Sequence, residues 1–196
     1  MFTLQTPSQL LAARRARKAL GKAQKGVTMI ELSIVLVIAG LLAAAVFLAF
    51  QSNARRVSVG DNTALITETA AELKKKFGLT NQYGAVTTAL AVQSRAIPDQ
   101  LRIPTTATAQ NGYGGLITVA PATLTQANDA ALLTWSSVKQ SECIDLVIGT
   151  SDTARRIEVP AGTAVKPTDG VLNLATLATQ CELAANTDIV FAVGRN

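Results

Sequence analysis

Residues 32–50 read LSIVLVIAGLLAAAVFLAF, nineteen positions in which Ser33 is the only polar side chain. No charge follows until Arg55, so residues 32–54 form an uncharged run of 23. As a helix that run would extend ~35 Å, enough to cross a bilayer. Beyond it the pattern turns periodic. Ile66, Ala70, Leu73 and Phe77 stand at i, i+4, i+7 and i+11, a single apolar stripe. Lys74, Lys75 and Lys76 fill the last turn and Gly78 follows, which marks a helix C-terminus. The pattern predicts one long helix over about 28–77, apolar all round in its first half and amphipathic in its second. Gly60-Asp61 offers a place for a kink, because glycine costs ~1 kcal/mol relative to alanine inside a helix.

The remainder alternates short elements with turns. Residues 79–130 are rich in Thr, Ala and Asn with weak periodicity, and 85–93 reads as a short helix. Pro98 and Pro104 punctuate a loop, and Gly112-Tyr113-Gly114-Gly115 is a turn before a strand at 116–120. A second strand is expected at 131–135, then a helix capped by Ser136 or Ser137 and running to about 148. Alternation of Ile157 and Val159 places a third strand at 155–159. Asn173 is the N-cap of a helix to about 182, and 188–193 is a final strand. This is an α+β chain: a long N-terminal helix packed on a small, mostly antiparallel sheet. No internal repeat is visible.

Charge changes the picture at the front end only. The 196 residues carry 18 Lys+Arg against 13 Asp+Glu. Six of the basic residues (Arg14, Arg15, Arg17, Lys18, Lys22, Lys25) precede the first acid, Glu31. Setting those six aside leaves 12 basic against 13 acidic, so the body is not a basic nucleic-acid-binding surface. The basic leader before the apolar run predicts a cytoplasmic N-terminus and an exported body, six charges against Arg55-Arg56 on the far side. With no histidine and two cysteines, His-based triads and His or four-thiolate metal sites are excluded. Aromatic residues make up 4%, too few for a stacking surface. Asp99, Glu142, Asp145 and Asp152 read as solvated carboxylates, and Lys74–Lys76 as a solvated helix end that complements the dipole.

Three readings fit the N-terminal segment: an uncleaved signal anchor, a secretory signal cut near Ala43–Ala45, or a cut at Lys25-Gly26 that leaves the apolar helix attached. Glu31 bears on the choice. A carboxylate at the mouth of an uncharged apolar run is costly in lipid, although the helix N-terminus favours it. The stretch Lys25-Gly26-Val27-Thr28-Met29-Ile30-Glu31-Leu32, followed by the apolar run, resembles the class III signal of type IV pilins and pseudopilins. That resemblance implies cleavage after Gly26 by a prepilin peptidase on the cytoplasmic side and N-methylation of Val27. It makes Glu31 the fifth mature residue, the one that pairs with a neighbouring subunit's amine in the filament core. Gly40 matches a small residue common in these helices.

Cys143 and Cys181 lie 38 apart in the two C-terminal helical segments, and in an exported domain they are expected to pair. Loop entropy puts such a bond at ~4 kcal/mol. The runs 141–149, 180–183 and 189–194 are similar to the cysteine-bounded C-terminal region of type IVb pilins, a subclass that includes toxin-coregulated, bundle-forming and conjugative thin-pilus subunits. The 26-residue leader, a first mature residue other than phenylalanine, and Leu48 where type IVa pilins often have proline agree with that subclass.

The resemblance implies a major subunit of a type IVb pilus with three parts: leader 1–26, membrane and filament-core helix 27–54, and globular head 55–196. It implies an inner-membrane precursor and then an extracellular helical homopolymer. The partners would be prepilin peptidase, an inner-membrane assembly platform and an assembly ATPase, with no specific nucleic acid. No enzymatic activity, cofactor or metal is expected. The alternatives are a minor pilin or secretion pseudopilin, or an uncleaved membrane-anchored domain.

Overall fold

The computed structural model describes residues 28–194. The chain divides into two compact units between Ala49 and Phe50. Helix α1, Met29–Leu73, begins in the first unit and ends in the second, closing with a π-turn at Lys74–Gly78. It continues unbroken through Gly60-Asp61, so the sequence signal for a kink there produces no interruption of the helix.

The second unit is an α1 segment, three shorter helices and one six-stranded antiparallel sheet. Helix α2 is Thr88–Gln93, preceded by a 3-10 turn at Tyr83–Ala85, and Thr87 caps it by accepting from the Leu90 N–H at 3.2 Å. Then come β1 (Ala109–Gln110), β2 (Leu116–Ala122), β3 (Ala130–Lys139), α3 (Gln140–Gly149), β4 (Arg156–Glu158), β5 (Ala164–Lys166), α4 (Leu174–Glu182) and β6 (Asn186–Gly194). The sheet order is β1-β2-β3-β6-β4-β5. Its edge strands are two and three residues long. The longer β2 is blunted by Pro121, which lacks an N–H, and by the Thr88 hydroxyl. That hydroxyl bonds both the N–H (2.9 Å) and the carbonyl (3.3 Å) of Val119. Short or occupied edges leave no template for stray pairing.

The apolar stripe does what its spacing requires. Ile66, Ala70, Leu73 and Phe77 are all buried, and they join Trp135, Phe191 and Leu146 in one core. The residues expected to start the first of the two C-terminal helices fold differently. Strand β3 bulges at Ser136-Ser137, where Ser137 takes φ +61° and gives its N–H to Asp188 Oδ1 at 3.0 Å. Pairing with β6 then resumes at Val138 and Lys139, because Val138 has an apolar site to fill. Neither serine is a cap. Helix α3 starts at Gln140, whose N–H is bonded by the Ala185 carbonyl at 2.9 Å. Asn173 does cap α4, accepting from the Thr176 N–H at 3.0 Å. Cys143 of α3 and Cys181 of α4 are joined by a buried disulfide, Cα–Cα 5.8 Å.

Two carboxylates hold the loops at one end of the sheet. Burial pushes the Asp129 carboxyl up, but the Thr125 hydroxyl and the N–H groups of Leu124, Gln126 and Thr125 all donate to it and hold it well below the usual range. Asp169 is held low by a bidentate bond from Arg155, with Nε–Oδ1 at 2.7 Å. A carboxyl depressed in the fold lends stability that is complete above its unfolded value of about 3.9 and is lost as pH falls toward the folded one. Denaturant midpoints should therefore be flat from about pH 8 to pH 5 and drop below about pH 4. In Asp129→Asn the plateau should lie lower and the acid drop should be shallower. A wild-type profile that is flat down to about pH 2 would contradict this.

Candidate assembly interface

The described start of α1 is set by Thr28. Its carbonyl accepts from the Leu32 N–H at 3.1 Å, and its hydroxyl accepts from the Glu31 N–H at 3.3 Å. Thr28 is thus the N-cap and Glu31 the third helical residue, the Thr-x-x-Glu arrangement of a capping box. An acid in this first turn also faces the positive end of the helix dipole. Lys25, Gly26 and Val27, the residues singled out for cleavage and methylation, lie outside the described residues, as does the expected leader 1–26.

Beyond Glu31 the helix offers apolar surface on every side. Twelve large apolar side chains from Leu32 to Phe50 are each between 52% and 69% exposed. The Ser33 hydroxyl is satisfied within the helix by the Ile30 carbonyl at 2.8 Å, so it does not break the surface. Among the described residues this is the one helix long and apolar enough to cross a membrane, by length and composition. Surface of this extent marks an interaction site, because water does not tolerate it uncovered.

A polar seam, missed by apolar periodicity, ties the next turns of α1 to the head. Arg55 pairs with Asp145 at 2.8 Å. The Ser58 hydroxyl donates to Glu142 Oε2 at 3.0 Å, and Asn62 Nδ2 donates to the Ser58 carbonyl at 2.9 Å. The indole N–H of Trp135 donates to Asn62 Oδ1 at 3.3 Å. Gly112 packs over this amide so closely that a Cβ there would lie 2.9 Å from Asn62 Nδ2. The Tyr113 hydroxyl makes no hydrogen bond of good geometry, and burial together with the nearby Glu142 carboxylate raises its pKa. Glu142 is therefore not the solvated carboxylate expected from sequence: α1 lays Ser58 over it. Asp145 and Asp99 are exposed but paired, with Arg55 and Arg102, and Asp152 is exposed. One signal was available, since Arg55, Ser58 and Asn62 continue the spacing of the Ile66 stripe backwards.

Two of the three lysines at the end of α1 are paired. Lys75 and Lys76 flank Glu72 at 3.5 and 3.4 Å, and Lys76 also donates to the Ser94 carbonyl. Among the described residues no group of three His, Cys, Asp or Glu is placed to hold a metal ion.

Residues 56–193 match the family described as PilS N terminal. The chain belongs to that family of type IV pilins. Residues 21–47 of this pilin match the prokaryotic N-terminal methylation motif, which takes in the Lys25–Glu31 stretch. Its fold is that of the type IVb pilin from Salmonella typhi, with 22% identity over 67% of this chain and 97% of that one and a TM-score of 0.50. TcpA, a type IV pilin from Vibrio cholerae El Tor, aligns at 13% identity over 67% and 98% of the two chains, TM-score 0.45. No curated protein matches the sequence.

If the apolar helix is the adhesive part of this pilin, its removal decides solubility. Residues 55–196 alone should be monomeric in buffer without detergent, whereas the full chain should sediment as large assemblies until detergent is added. A full chain that stays monomeric without detergent would contradict the assignment.

Proposed function

We propose that this pilin is the major structural subunit of a type IVb pilus. Helix 27–54 holds the precursor in the inner membrane, with leader 1–26 in the cytoplasm and residues 55–196 outside. Prepilin peptidase cuts between Gly26 and Val27, and the new Val27 amine is N-methylated. An assembly platform and its ATPase then move the chain from bilayer to filament, where helix 27–54 forms the core.

The observation that carries this reading is an apolar helix, uncovered by the described residues, with a single carboxylate at its start. Burying an aliphatic side chain is worth ~1.5–3 kcal/mol relative to water. Relative to lipid it is nearly neutral, so shape and polar pairing must favour the filament over the bilayer. Glu31 supplies that pairing. Its charge and the Val27 amine of a neighbouring subunit each carry a desolvation cost in an apolar core that mutual attraction offsets. The pair also sets the axial register of one subunit on the next. The capping contact from Thr28 contributes by fixing where the helix starts, and hence where the Glu31 carboxylate stands relative to the new terminus.

Glu31→Ala should leave leader cleavage intact and abolish filaments, seen by electron microscopy of cells and by immunoblot of the precursor and mature bands. Normal piliation in that variant would overturn the register argument.

A further inference from the structure

Within the second unit, α1 changes character along the face it turns to the sheet. From residue 50 to residue 61 no side chain is buried, and only Ser58 and Val59 are half-buried. Asn62 is the first buried residue, and Ile66, Ala70 and Leu73 follow with at most 1% exposed. The bonds that tie down the first stretch are polar: Arg55 to Asp145, both about half exposed, then Ser58 to Glu142 and Asn62 to Trp135. Water replaces such contacts at small net cost, least for an exposed ion pair, whereas lifting Ile66 and Leu73 forfeits the hydrophobic term. Gly60 sits in the middle of the stretch. A Cβ there would meet nothing within 4 Å, and its backbone is not left-handed, so neither packing nor conformation calls for glycine. Its effect is to weaken the helix where the contacts are weakest.

We propose that residues 50–62 are a detachable strap, while residues 66–77 are the fixed anchor of α1 on the head. Release parts Ser58 from Glu142 and Asn62 from Trp135. It uncovers Trp135, Tyr113 and Glu142 and leaves the sheet and the Cys143–Cys181 bond in place. In a filament joined through α1, load reaches the head through this strap, which gives way before the head unfolds. That consequence rests on the filament reading, whereas the strap is a property of the single chain and is tested there.

Hydrogen exchange by mass spectrometry on the full chain in detergent micelles, with acrylamide quenching of Trp135, the single tryptophan, reads both halves of the proposal. Amides 54–61 should exchange at least about 100-fold faster than amides 66–73. Gly60→Ala should slow exchange in 54–61 about fivefold and reduce quenching, with 66–73 unchanged. Ser58→Ala should move both readouts the other way. Equal protection of the two stretches would overturn the strap, as would a Gly60→Ala chain in which neither readout moves. Quenching that rises only when 66–73 loses protection would overturn it too. Absence of pili in cells would leave these results untouched.

Discussion

A helix with a dozen large apolar side chains that the described residues leave exposed dictates what else this pilin must have. Such a surface needs lipid or other helices around it. Either environment makes a charge expensive, so the one acid at its start, Glu31, needs a reason to be there. Helix capping by Thr28 is part of that reason, because the Glu31 N–H is bonded and the carboxylate stands in the first turn. On the filament reading the remainder is an amine from a neighbouring chain, which turns a desolvation cost into a register mark.

The second unit answers a different demand, which is to hold the far half of the same helix firmly. Ile66, Ala70, Leu73 and Phe77 sink into a core built on β3 and β6, with Trp135 and Phe191 among its largest members. The disulfide fastens α3 to α4 across a separation of 38 residues, and α3 presents Glu142 and Asp145 to α1. Apolar burial therefore fixes one end of the contact and hydrogen bonds trim the other. The result is a graded attachment in place of a uniform one.

Much of this is legible in the sequence, and the parts that are not have a common cause. The α1 stripe, the Asn173 cap and the Gly112–Gly115 turn before β2 rest on near neighbours, whose spacing the chain displays. The bulge in β3 rests on Asp188, 51 residues away, so Ser136-Ser137 reads locally as a helix cap and is none. Strands β1 and β5 are two and three residues long and exist only because a partner strand is beside them. Burial of Glu142 depends on Ser58, 84 positions earlier, and the third lysine of Lys74–Lys76 depends on the Ser94 loop. At the candidate interface the apolar run and Glu31 are plain in the sequence. The spacing of Arg55, Ser58 and Asn62 hints at the polar seam, but its partners on the head and the Thr28 capping contact emerge only with the fold.

The central claim is that this chain is cut after Gly26, exported and polymerised through its N-terminal helix. Intact mass and N-terminal sequence of the protein recovered from sheared cell-surface material test it most directly. The account predicts a chain beginning at Val27, with its amine methylated, and lighter by two hydrogens for the Cys143–Cys181 bond. A chain still beginning at Met1 and found only in membranes would contradict it and leave a signal-anchored domain.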